Sequence, residues 1–486
     1  MIRMSEYIKA TQAEYAFKYR QFQIDETIEN WVARQFMTLE LPDVRLKKRS
    51  HRILQALAQR PQDSLNQVHG TWGEAKGAYR LIENERISLP SLQKPICDAT
   101  AECCKGLDRI IAVQDTTTFS FDSARNAKGL GTVNDSQKSR GMFFHPVLAL
   151  REDGLPLGLL DQQHWCRSDI VEHKAKDRTK RPIEEKESSK WLRGIDSSNK
   201  ILKTRQPEGQ IPKLVHVFDR EGDVHEVFER ITEHQNGAVI RSSHNRRVET
   251  TNGTIGYAHE LVRKARLLGT TIIDVPRKHG ESKRTAELEI RSINVVLSPR
   301  KSKHPKRCPI PLTLVEAFET NPPPDSSPLH WLLWTTEAVE SIIDALDIVR
   351  IYMLRWKIEE FFLTLKQGCR IEKLQFETAD RLAKTLAFYT PVAARILKCR
   401  DLARLNPDAP CTNILSRTEW HALWLKIHKK RPGKNLIPPT IKEAVLWIGR
   451  LGGHLNRKSD GMPGVRTLWL GFRDLALMAE MLRLIE

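Results

Sequence analysis

The segment IYMLRWKIEEFFLTLKQGCR (351–370) contains the pattern around which the rest of the chain can be interpreted. We predict one continuous helix here. Because a helix advances about 100° per residue, Tyr352, Arg355, Glu359 and Lys366 lie within roughly 60° of one another on one face. Apolar side chains cover the other faces and can pack inward. A carboxylate between an arginine, a tyrosine and a lysine suits work on phosphate, so we predict that Glu359 is a metal ligand in a DNA-cutting site.

Two further carboxylates are predicted at the ends of buried strands. The apolar run in RIIAVQDTTTFSF (109–121) ends in Asp115, and the run in LVHVFDREG (214–222) ends in Asp219. Functional groups gather at the carboxyl ends of strands in an α/β layer, and carboxylate oxygens are the usual ligands of Mg²⁺ or Mn²⁺. Two such ions about 3.5–4 Å apart can clamp the attacking and leaving oxygens of a phosphoryl transfer. We therefore expect Asp115, Asp219 and Glu359 to converge within about 4–8 Å.

Each of these carboxylates also has a purely structural interpretation. Asp115 precedes threonines and could only cap a turn, and Asp219 could pair with Arg220. Glu359 could be a surface acid that pairs with a basic neighbour on its own helix. Glu360 competes for the role of ligand, although it lies about 100° around the helix from the polar face. Spacing alone leaves these alternatives open.

The charge balance favours a polyanionic partner. The 486 residues include 78 Lys and Arg against 60 Asp and Glu, which leaves a formal net charge of +18. Basic side chains on phosphates release counterions, so nucleic acid is the favoured partner and an anionic membrane the less favoured one. An apolar fraction of 40% indicates a folded chain. The length indicates about two to four domains.

No feature of the sequence predicts a membrane span, a secretion signal or structural zinc. No apolar run approaches the ~20 residues that cross a bilayer, and MIRMSEYIKATQ (1–12) lacks the apolar core of a secretion signal. The eight Cys form no C-x-x-C pair, and adjacent Cys103 and Cys104 rarely permit a simple disulfide. We therefore expect a reduced cytosolic protein.

The first 88 residues predict a small helical unit with a basic face. Asp43 would be the N-cap of the helix VRLKKRSHRILQALAQR (44–60), and a second helix, WGEAKGAYRLI (72–82), follows. Basic residues crowded at the start of a helix suggest contacts with DNA phosphates. A solvated helix face is an equally good interpretation of that run. The basic residues of interest are Arg45, Lys48, Arg49, Arg52 and, on the second helix, Arg80.

The middle and end of the chain predict two further regions. Threonine-rich alternating sequence from about 244 to 328 predicts a mostly β insertion, in which the basic segment PRKSKHPKR (299–307) could touch DNA or merely be solvated. A core strand, LHWLLWTTE (329–337), follows the insertion. Apolar-striped helices are predicted near the C-terminus.

At this point the chain resembles a known family. YMLRWKIEEFFLTLK (352–366) has the spacing Tyr, two residues, Arg, three, Glu, six, Lys, which resembles the signature of DDE-type bacterial insertion-sequence transposases. IAVQDTTTFSF (111–121) and VFDREGDVHEVF (217–228) resemble the segments that carry that family's two aspartates. The branch that includes the transposase of bacterial transposon five is the most similar. Further similar blocks are GAYRLIEN (77–84), KSRGMFFHPVL (138–148), EKESSKWL (185–192) and IGRLGGHLNRKS (448–459).

The resemblance implies the fold and its division. It implies an α/β catalytic core of RNase H-like fold, with a mixed five-stranded sheet flanked by helices and the β insertion at about 244–328. The resemblance also implies all-helical N- and C-terminal domains on either side of this core. The expected limits are 1–88 for the DNA-binding domain, 89–402 for the catalytic domain and 403–486 for the dimerisation domain. The stretch 403–440 has no convincing counterpart, and the N-terminus is longer than the family's.

The resemblance also implies the site. Asp115, Asp219 and Glu359 would bind two Mg²⁺ ions per active site, with Mn²⁺ as a possible substitute. Trp331 would stack on a base flipped out near the cut, although its sequence context alone predicts a core residue. The residues implied in DNA contacts are Tyr352, Arg355, Lys366, Trp331, Arg241, Arg220, Arg80, Arg45, Lys48, Arg49 and Arg52.

The implied activity is cut-and-paste DNA transposition in the bacterial cytoplasm, with the nucleoid. The partners would be double-stranded DNA, as transposon ends and as target, and a second copy of the chain in a synaptic complex. A DNA hairpin intermediate is implied by the family alone. Two alternatives remain: an RNase H-like nuclease that cuts without joining, and an inactive DNA-binding inhibitor of transposition.

Overall fold

A computed structural model describes most of the chain. Its centre is a mixed β-sheet with helices packed on it, as predicted. No helix of the described part is long and apolar enough to cross a membrane. The described residues are 2–19, 27–133, 139–167, 182–275, 284–298, 309–324, 326–433, 435–457 and 460–485.

Fifteen α-helices occur in these residues. The predicted N-cap is confirmed, because the Asp43 carboxylate accepts a hydrogen bond of 2.7 Å from the backbone N–H of Arg45. The helices are α1 (Met4–Lys18), α2 (Ile28–Gln35), α3 (Val44–Gln59), α4 (Leu65–Val68), α5 (Trp72–Glu83), α6 (Leu89–Cys103), α7 (Ser189–Arg205), α8 (His225–Glu233), α9 (Ala258–Lys264), α10 (Ile342–Met353), α11 (Trp356–Leu363), α12 (Ala379–Leu405), α13 (Arg417–His428), α14 (Ile441–Leu451) and α15 (Val465–Ile485).

Fourteen strands in the described residues form one sheet. The dipeptide Asp153-Gly154 predicts a hairpin turn from the sequence alone, and the structure confirms it, since Gly154 adopts φ +88° in the turn between two antiparallel strands. The strands are β1 (Ile2–Arg3), β2 (Arg109–Gln114), β3 (Thr117–Ser120), β4 (Gly131–Thr132), β5 (Arg140–Leu150), β6 (Pro156–Trp165), β7 (Lys213–Phe218), β8 (Gly237–Arg241), β9 (Arg247–Thr250), β10 (Ile255–Tyr257), β11 (Leu267–Val275), β12 (Arg284–Leu297), β13 (Ile310–Glu319) and β14 (His330–Thr335).

The centre of the sheet has the order β6-β5-β2-β7-β8. Strand β5 runs antiparallel to both β6 and β2, whereas β2, β7 and β8 are mutually parallel neighbours. Apolar residues fill β2 and β7, which are buried almost throughout. Parallel neighbours end at the same edge of a sheet, so the residues that follow β2 and β7 emerge side by side.

The β insertion continues the same sheet. Strand β14 pairs antiparallel with β8 on one side and with β13 on the other, so β13, β12 and β11 extend the sheet outward. Strands β9 and β10 form a hairpin attached to β12. The basic segment 299–307 lies outside the described residues. The insertion is therefore joined to the core by backbone hydrogen bonds through β14.

The prediction of one helix over 351–370 is wrong. Helix α10 ends at Met353, a turn covers 354–355, α11 follows, and residues Thr364–Gly368 form a π-helical turn. The Leu354 N–H is shared between the carbonyls of residues 350 and 351, at 3.3 and 3.1 Å, which tightens the first break. The Cys369 N–H bonds the Thr364 carbonyl at 2.7 Å, which widens the second. Arg355 keeps helical φ and ψ, so the segment retains its general direction.

The N-terminal segment packs on the sheet and on the helices α6 and α10. Strand β1 pairs in parallel with β11 at the edge of the insertion, with Ile2 opposite Thr271. Helix α1 then leads to Tyr19, whose hydroxyl donates a hydrogen bond of 2.6 Å to a carboxylate oxygen of Glu152. A segment without a sequence-based assignment thus joins the edge of the sheet to its centre.

Glu152 is the centre of a buried polar cluster. Its side chain is 7% exposed and also accepts from Lys18 at 3.1 Å and from Arg109 at 2.7 Å. Burial acts to raise the pKa of Glu152, but the Tyr19 hydrogen bond and the charges of Arg109 and Lys18 outweigh it and lower that pKa. Arg350 on α10 donates to the Glu152 carbonyl at 2.6 Å. The cluster therefore fixes α10, the helix that precedes the Arg355–Glu359 turn.

We expect Tyr19→Phe to lower the free energy of unfolding by roughly 1–3 kcal/mol, because a buried charged acceptor loses a donor. The measurement is denaturant unfolding of the full chain. Tyr15→Phe is the matched control. Its ring stacks on Tyr19 at 5.8 Å, and its hydroxyl has no hydrogen-bond partner among the described residues. Equal losses for the two variants would contradict a special role of the Tyr19–Glu152 hydrogen bond.

Candidate active site

Asp115 and Asp219 occupy equivalent positions beyond two adjacent parallel strands. Val113 of β2 lies opposite Val217 of β7, and each valine is followed two residues later by an aspartate. Parallel strands lie about 4.8 Å apart. The strand register therefore brings the two carboxylates to one edge of the sheet.

Arg355 connects Asp115 to Glu359. Its Nη1 lies 3.0 Å from Oδ2 of Asp115 and 3.4 Å from Oε1 of Glu359. The Arg355 and Asp115 side chains are 16% and 17% exposed, whereas that of Glu359 is 39% exposed. The start of α11 is thus held over the end of β2 by a carboxylate–guanidinium–carboxylate contact.

Burial and the neighbouring negative charges raise the pKa of Asp115 to about 7. Burial is the largest cause, and the negative charges of Asp219 and Glu359 add to it. The backbone N–H of Thr116, 2.7 Å from Asp115 Oδ1, and the charge of Arg355 act in the opposite direction. Burial also raises the pKa of Asp219, although that carboxylate accepts a hydrogen bond of 2.9 Å from the N–H of Glu221. The aspartates are therefore short of positive charge even with Arg355 in contact with Asp115.

The donor set fits a hard divalent cation. Asp115, Asp219 and Glu359 offer only carboxylate oxygens, which suit Mg²⁺ or Mn²⁺ and not a structural zinc. In the described residues, no three His, Cys, Asp or Glu side chains stand as a group that could hold one ion. Arg355 lies between two of the carboxylates instead. A cation bound by all three would take over the electrostatic role that Arg355 now has.

Glu360 forms an ion pair between two helices. Arg400 of α12 donates to both of its carboxylate oxygens, at 2.7 and 2.6 Å. On the same side of α11, Lys357 lies 2.6 Å from Asp401. These buried ion pairs hold α11 against α12 and leave Glu359 on the face toward Asp115. The two adjacent glutamates therefore have different surroundings.

Trp331 and Tyr352 contact each other beside the site. Their ring centroids are 5.8 Å apart with the planes inclined by 63°. Tyr352 is 6% exposed, and Trp331 is partly buried against the main core. The core interpretation of Trp331 is therefore only half right, since part of the indole remains accessible.

The other predicted DNA contacts near the sheet lie in a turn, at a strand end and in the π-helical turn. Arg220 follows Asp219 directly and is exposed. Arg241 ends β8, with Nη2 3.4 Å from the His330 carbonyl. Lys366 lies in the π-helical turn, with Nζ 5.9 Å from the centre of the Phe119 ring.

The predicted basic residues of the N-terminal helices lie apart from these carboxylates. Arg45, Lys48 and Arg52 are exposed along α3, and Arg80 is exposed on α5. Arg49 differs, because its guanidinium lies against α5 where Gly77 leaves space: a Cβ at that glycine would be 1.0 Å from Nη1. No ion pair or hydrogen bond among the described residues joins these five side chains to Asp115, Asp219 or Glu359.

Sequence reasoning missed a row of buried polar side chains next to Asp115. Gln114, His145 and His216 are completely buried in three neighbouring strands. Each interrupts an apolar run: IIAVQ (110–114), FFHPVLAL (143–150) and LVHVF (214–218). A polar residue inside an apolar strand requires a buried partner, and that signal could have identified the row.

We expect the Asp115→Asn variant to be more stable than the wild type at pH 8, by roughly 1–3 kcal/mol, in metal-free buffer. With a folded pKa of about 7 and an ordinary value of 3.8, Asp115 keeps a proton in the folded state that the unfolded state has lost. Stability contributed by that proton therefore falls as the pH rises from about 4 to about 7. Denaturant unfolding at pH 4 and pH 8 measures the difference, which should nearly vanish at pH 4. Exposed Asp122 supplies the control, Asp122→Asn; an equal gain there would contradict the charge repulsion.

Comparison with protein families gives three matches along the chain. Residues 28–87 match the transposase DNA-binding family, residues 197–390 match the transposase DDE domain, and residues 391–486 match the Tn5 transposase dimerisation domain. Asp219 and Glu359 lie inside the DDE match, whereas Asp115 precedes it. The matched families account for a DNA partner, for catalysis and for a dimer. The chain belongs to the DDE transposases of the Tn5 type, which are metal-dependent polynucleotidyl transferases.

Proposed function

We propose that Asp115, Asp219 and Glu359 hold two Mg²⁺ ions, which Mn²⁺ can replace, and that the enzyme performs cut-and-paste transposition. The observation that carries this assignment is the shared register of Asp115 and Asp219 on β2 and β7, with Arg355 linking Asp115 to Glu359. When bound, the ions supply Lewis acidity for the attacking and leaving oxygens. The proposed core is RNase H-like, and the strand order β6-β5-β2-β7-β8 supports it.

Arg355 would exchange partners when DNA binds. In the free protein its guanidinium is divided between Asp115 and Glu359. A DNA phosphate can accept two parallel hydrogen bonds from a guanidinium, whereas Arg355 now contacts both carboxylates through Nη1 alone. Movement of Arg355 to the phosphate would release both carboxylates for metal binding. Lys366 would add a second positive charge on the phosphate backbone.

Trp331 would hold a base flipped out of the duplex near the cut. Tyr352 contacts the indole from the protein side and limits its movement. A displaced base gains stacking energy on an aromatic face, on the order of 1–3 kcal/mol. Arg220 and Arg241 would contact phosphates near the site, because both lie at the carboxyl ends of core strands.

The reaction would proceed through phosphoryl transfers at each transposon end. A water molecule attacks one strand, breaks the P–O bond to the 3′ oxygen and frees a 3′-hydroxyl. That hydroxyl attacks the opposite strand and forms a hairpin, which a second water reopens. The same hydroxyl later attacks a target phosphate. The carboxylates position the metals throughout, and Arg355 and Lys366 balance the phosphate charge.

DNA recognition and pairing of the ends would use the two helical domains. Arg45, Lys48, Arg52 and Arg80 are exposed and suited to phosphate contacts in the end sequence. The C-terminal helices of two copies would pair two ends, and each active site would cut the end held mainly by the other copy. We propose the domain limits 1–88 for the DNA-binding domain, 89–402 for the catalytic domain and 403–486 for the dimerisation domain.

Because the partner of this protein is DNA, we also propose that it works in the cytoplasm with the nucleoid.

We expect Glu359→Gln to reduce Mg²⁺-dependent nicking of end DNA, because it removes a direct metal ligand. Loss of an outer-shell partner costs roughly 10–100-fold, and the loss of Glu359 should cost more than that. Glu360→Gln is the matched control, since Glu360 faces Arg400. It should lower stability and retain nicking. The assay follows a labelled strand with wild-type and variant protein. Retained nicking by Glu359→Gln would overturn the assignment.

We also expect cut ends to be joined to target DNA. The substrate comes from the DNA that flanks the gene, where short inverted repeats bounded by a short direct duplication should mark the element. Gel analysis with labelled ends and plasmid target detects the joined product. Cut ends that are never joined would identify a nuclease, and end binding without any cutting would identify an inhibitor.

A further inference from the structure

A buried row of hydrogen bonds crosses the sheet next to Asp115. Thr116 Oγ1 lies 2.9 Å from His145 Nδ1, and His145 Nε2 lies 3.1 Å from Gln114 Oε1. The row continues from Gln114 Nε2 to His216 Nδ1 at 3.2 Å, and from His216 Nε2 to the Asn236 amide at 3.2 Å. Its members lie on β5, on β2, on β7 and directly before β8. Four core elements are thus connected through side chains.

The fold makes room for this row. A Cβ at Gly194 of α7 would lie 2.3 Å from Gln114 Oε1, so only a glycine lets the helix pass over the amide. Trp191 of the same helix meets the His145 ring edge-on at 4.7 Å. Gln114, His145 and His216 are 0% exposed. The side of the sheet under α7 is therefore built around polar groups that the proposed chemistry does not use.

The row holds both chain neighbours of Asp115. Gln114 precedes it and Thr116 follows it, and both side chains are bound within the row. The Thr116 N–H in turn donates to Asp115 Oδ1 at 2.7 Å. Repulsion from Asp219 and Glu359 acts on that carboxylate. Without an anchor on the far side of the strand, the peptide that carries Asp115 could move to relieve the repulsion.

We propose that Gln114, His145 and Thr116 are positioning residues that fix Asp115 for divalent-ion binding, with His216 and Asn236 fixing the far end of the row. This inference rests on the proposed role of Asp115 as a metal ligand. Positioning of a ligand from behind is an outer-shell effect, and loss of such partners typically lowers metal affinity about 10–100-fold.

The row also couples the protonation sites of its two histidines. Burial lowers the pKa of His216 to about 3 and that of His145 well below the usual range, so both rings are neutral. Each neutral ring carries one N–H. Gln114 presents its oxygen to one ring and its NH₂ to the other, at Nε2 of His145 and at Nδ1 of His216. Both histidines must therefore carry their proton on the nitrogen of the same name. That nitrogen is Nε2 when the Gln114 oxygen faces His145, and Nδ1 when the Gln114 NH₂ faces His145.

The orientation of one terminal amide follows from the same rule. The amides of Gln114 and Asn236 lie at the two nitrogens of His216. A neutral ring accepts at one nitrogen and donates at the other, so one amide presents its NH₂ to the ring and the other presents its oxygen. Either choice leaves every member of the row with a partner and keeps the two tautomers equal.

The experiment measures Mn²⁺ binding to the full chain in the presence of an end-DNA duplex, which supplies the phosphate for Arg355, by electron paramagnetic resonance titration with the duplex alone as background. The main variant is Thr116→Val, which keeps the shape of the side chain and removes its hydroxyl. Thr116→Ser restores the hydroxyl and should bind nearly as tightly as the wild type. Thr118→Val is the matched control two residues away on β3, because Thr118 has no side-chain hydrogen bond among the described residues. We expect the Kd of Thr116→Val for Mn²⁺ to be about 10–100-fold higher than that of the wild type. The Kd values of Thr116→Ser and Thr118→Val should stay near the wild-type value.

Asp115→Asn distinguishes failure of this inference from failure of the proposed site. If Asp115→Asn binds Mn²⁺ weakly while Thr116→Val binds like the wild type, the positioning role is wrong and the site assignment stands. If Asp115→Asn binds like the wild type, the site assignment itself is wrong. Should Thr116→Val not fold, ¹⁵N NMR of histidine-labelled wild type gives the second test. Equal tautomers at His145 and His216 support the row, and unequal ones overturn it.

Discussion

Mutual repulsion of carboxylates at one edge of the sheet is the constraint on which the rest of the structure depends. The parallel register of β2 and β7 brings Asp115 beside Asp219, and α11 adds Glu359. Burial is the largest cause of the rise in the pKa of Asp115 to about 7, and the like charges of Asp219 and Glu359 add to it. Such a cluster persists only if the surrounding fold prevents the strands and the helix from separating.

The elements around the cluster supply that resistance through buried ion pairs. On one side of α11, Arg400 grips Glu360 with two hydrogen bonds and so holds the helix against α12. In the last turn of α10, Arg350 donates to the backbone carbonyl of Glu152, and the Glu152 side chain is held by Tyr19 and Arg109. Breaking one partner of a buried pair leaves an uncompensated charge, which costs several kcal/mol. The turn with Arg355 therefore has fixed supports before and after it.

The sequence supported the prediction of elements better than the prediction of long-range contacts. Strand ends at Asp115 and Asp219, the Asp43 cap and the hairpin at Asp153-Gly154 all follow from local rules of burial, capping and turns. The break at 354–355 did not, because every residue there is a good helix former and the irregularity arises from tertiary packing. Tyr19 and Glu152 meet across 133 residues, and no periodicity encodes such a pairing. Within the site, helical spacing predicted that Arg355 and Glu359 are neighbours. The different role of Glu360 could not be predicted in this way, because its partner, Arg400, lies on another helix.

In the proposed metal site, three kinds of positive charge would compete for the Asp115 carboxylate: a proton, Arg355 and a divalent ion. Because its pKa is about 7 with Arg355 already 3.0 Å away, one guanidinium does not compensate the cluster at neutral pH. A proton removes the charge but also removes the donor set that phosphoryl transfer needs. A divalent ion brings two charges and keeps every oxygen ionised, so it gains most from the repulsion that the fold maintains. The same repulsion that destabilises the free protein therefore becomes binding energy for the metal, provided that a phosphate draws Arg355 away.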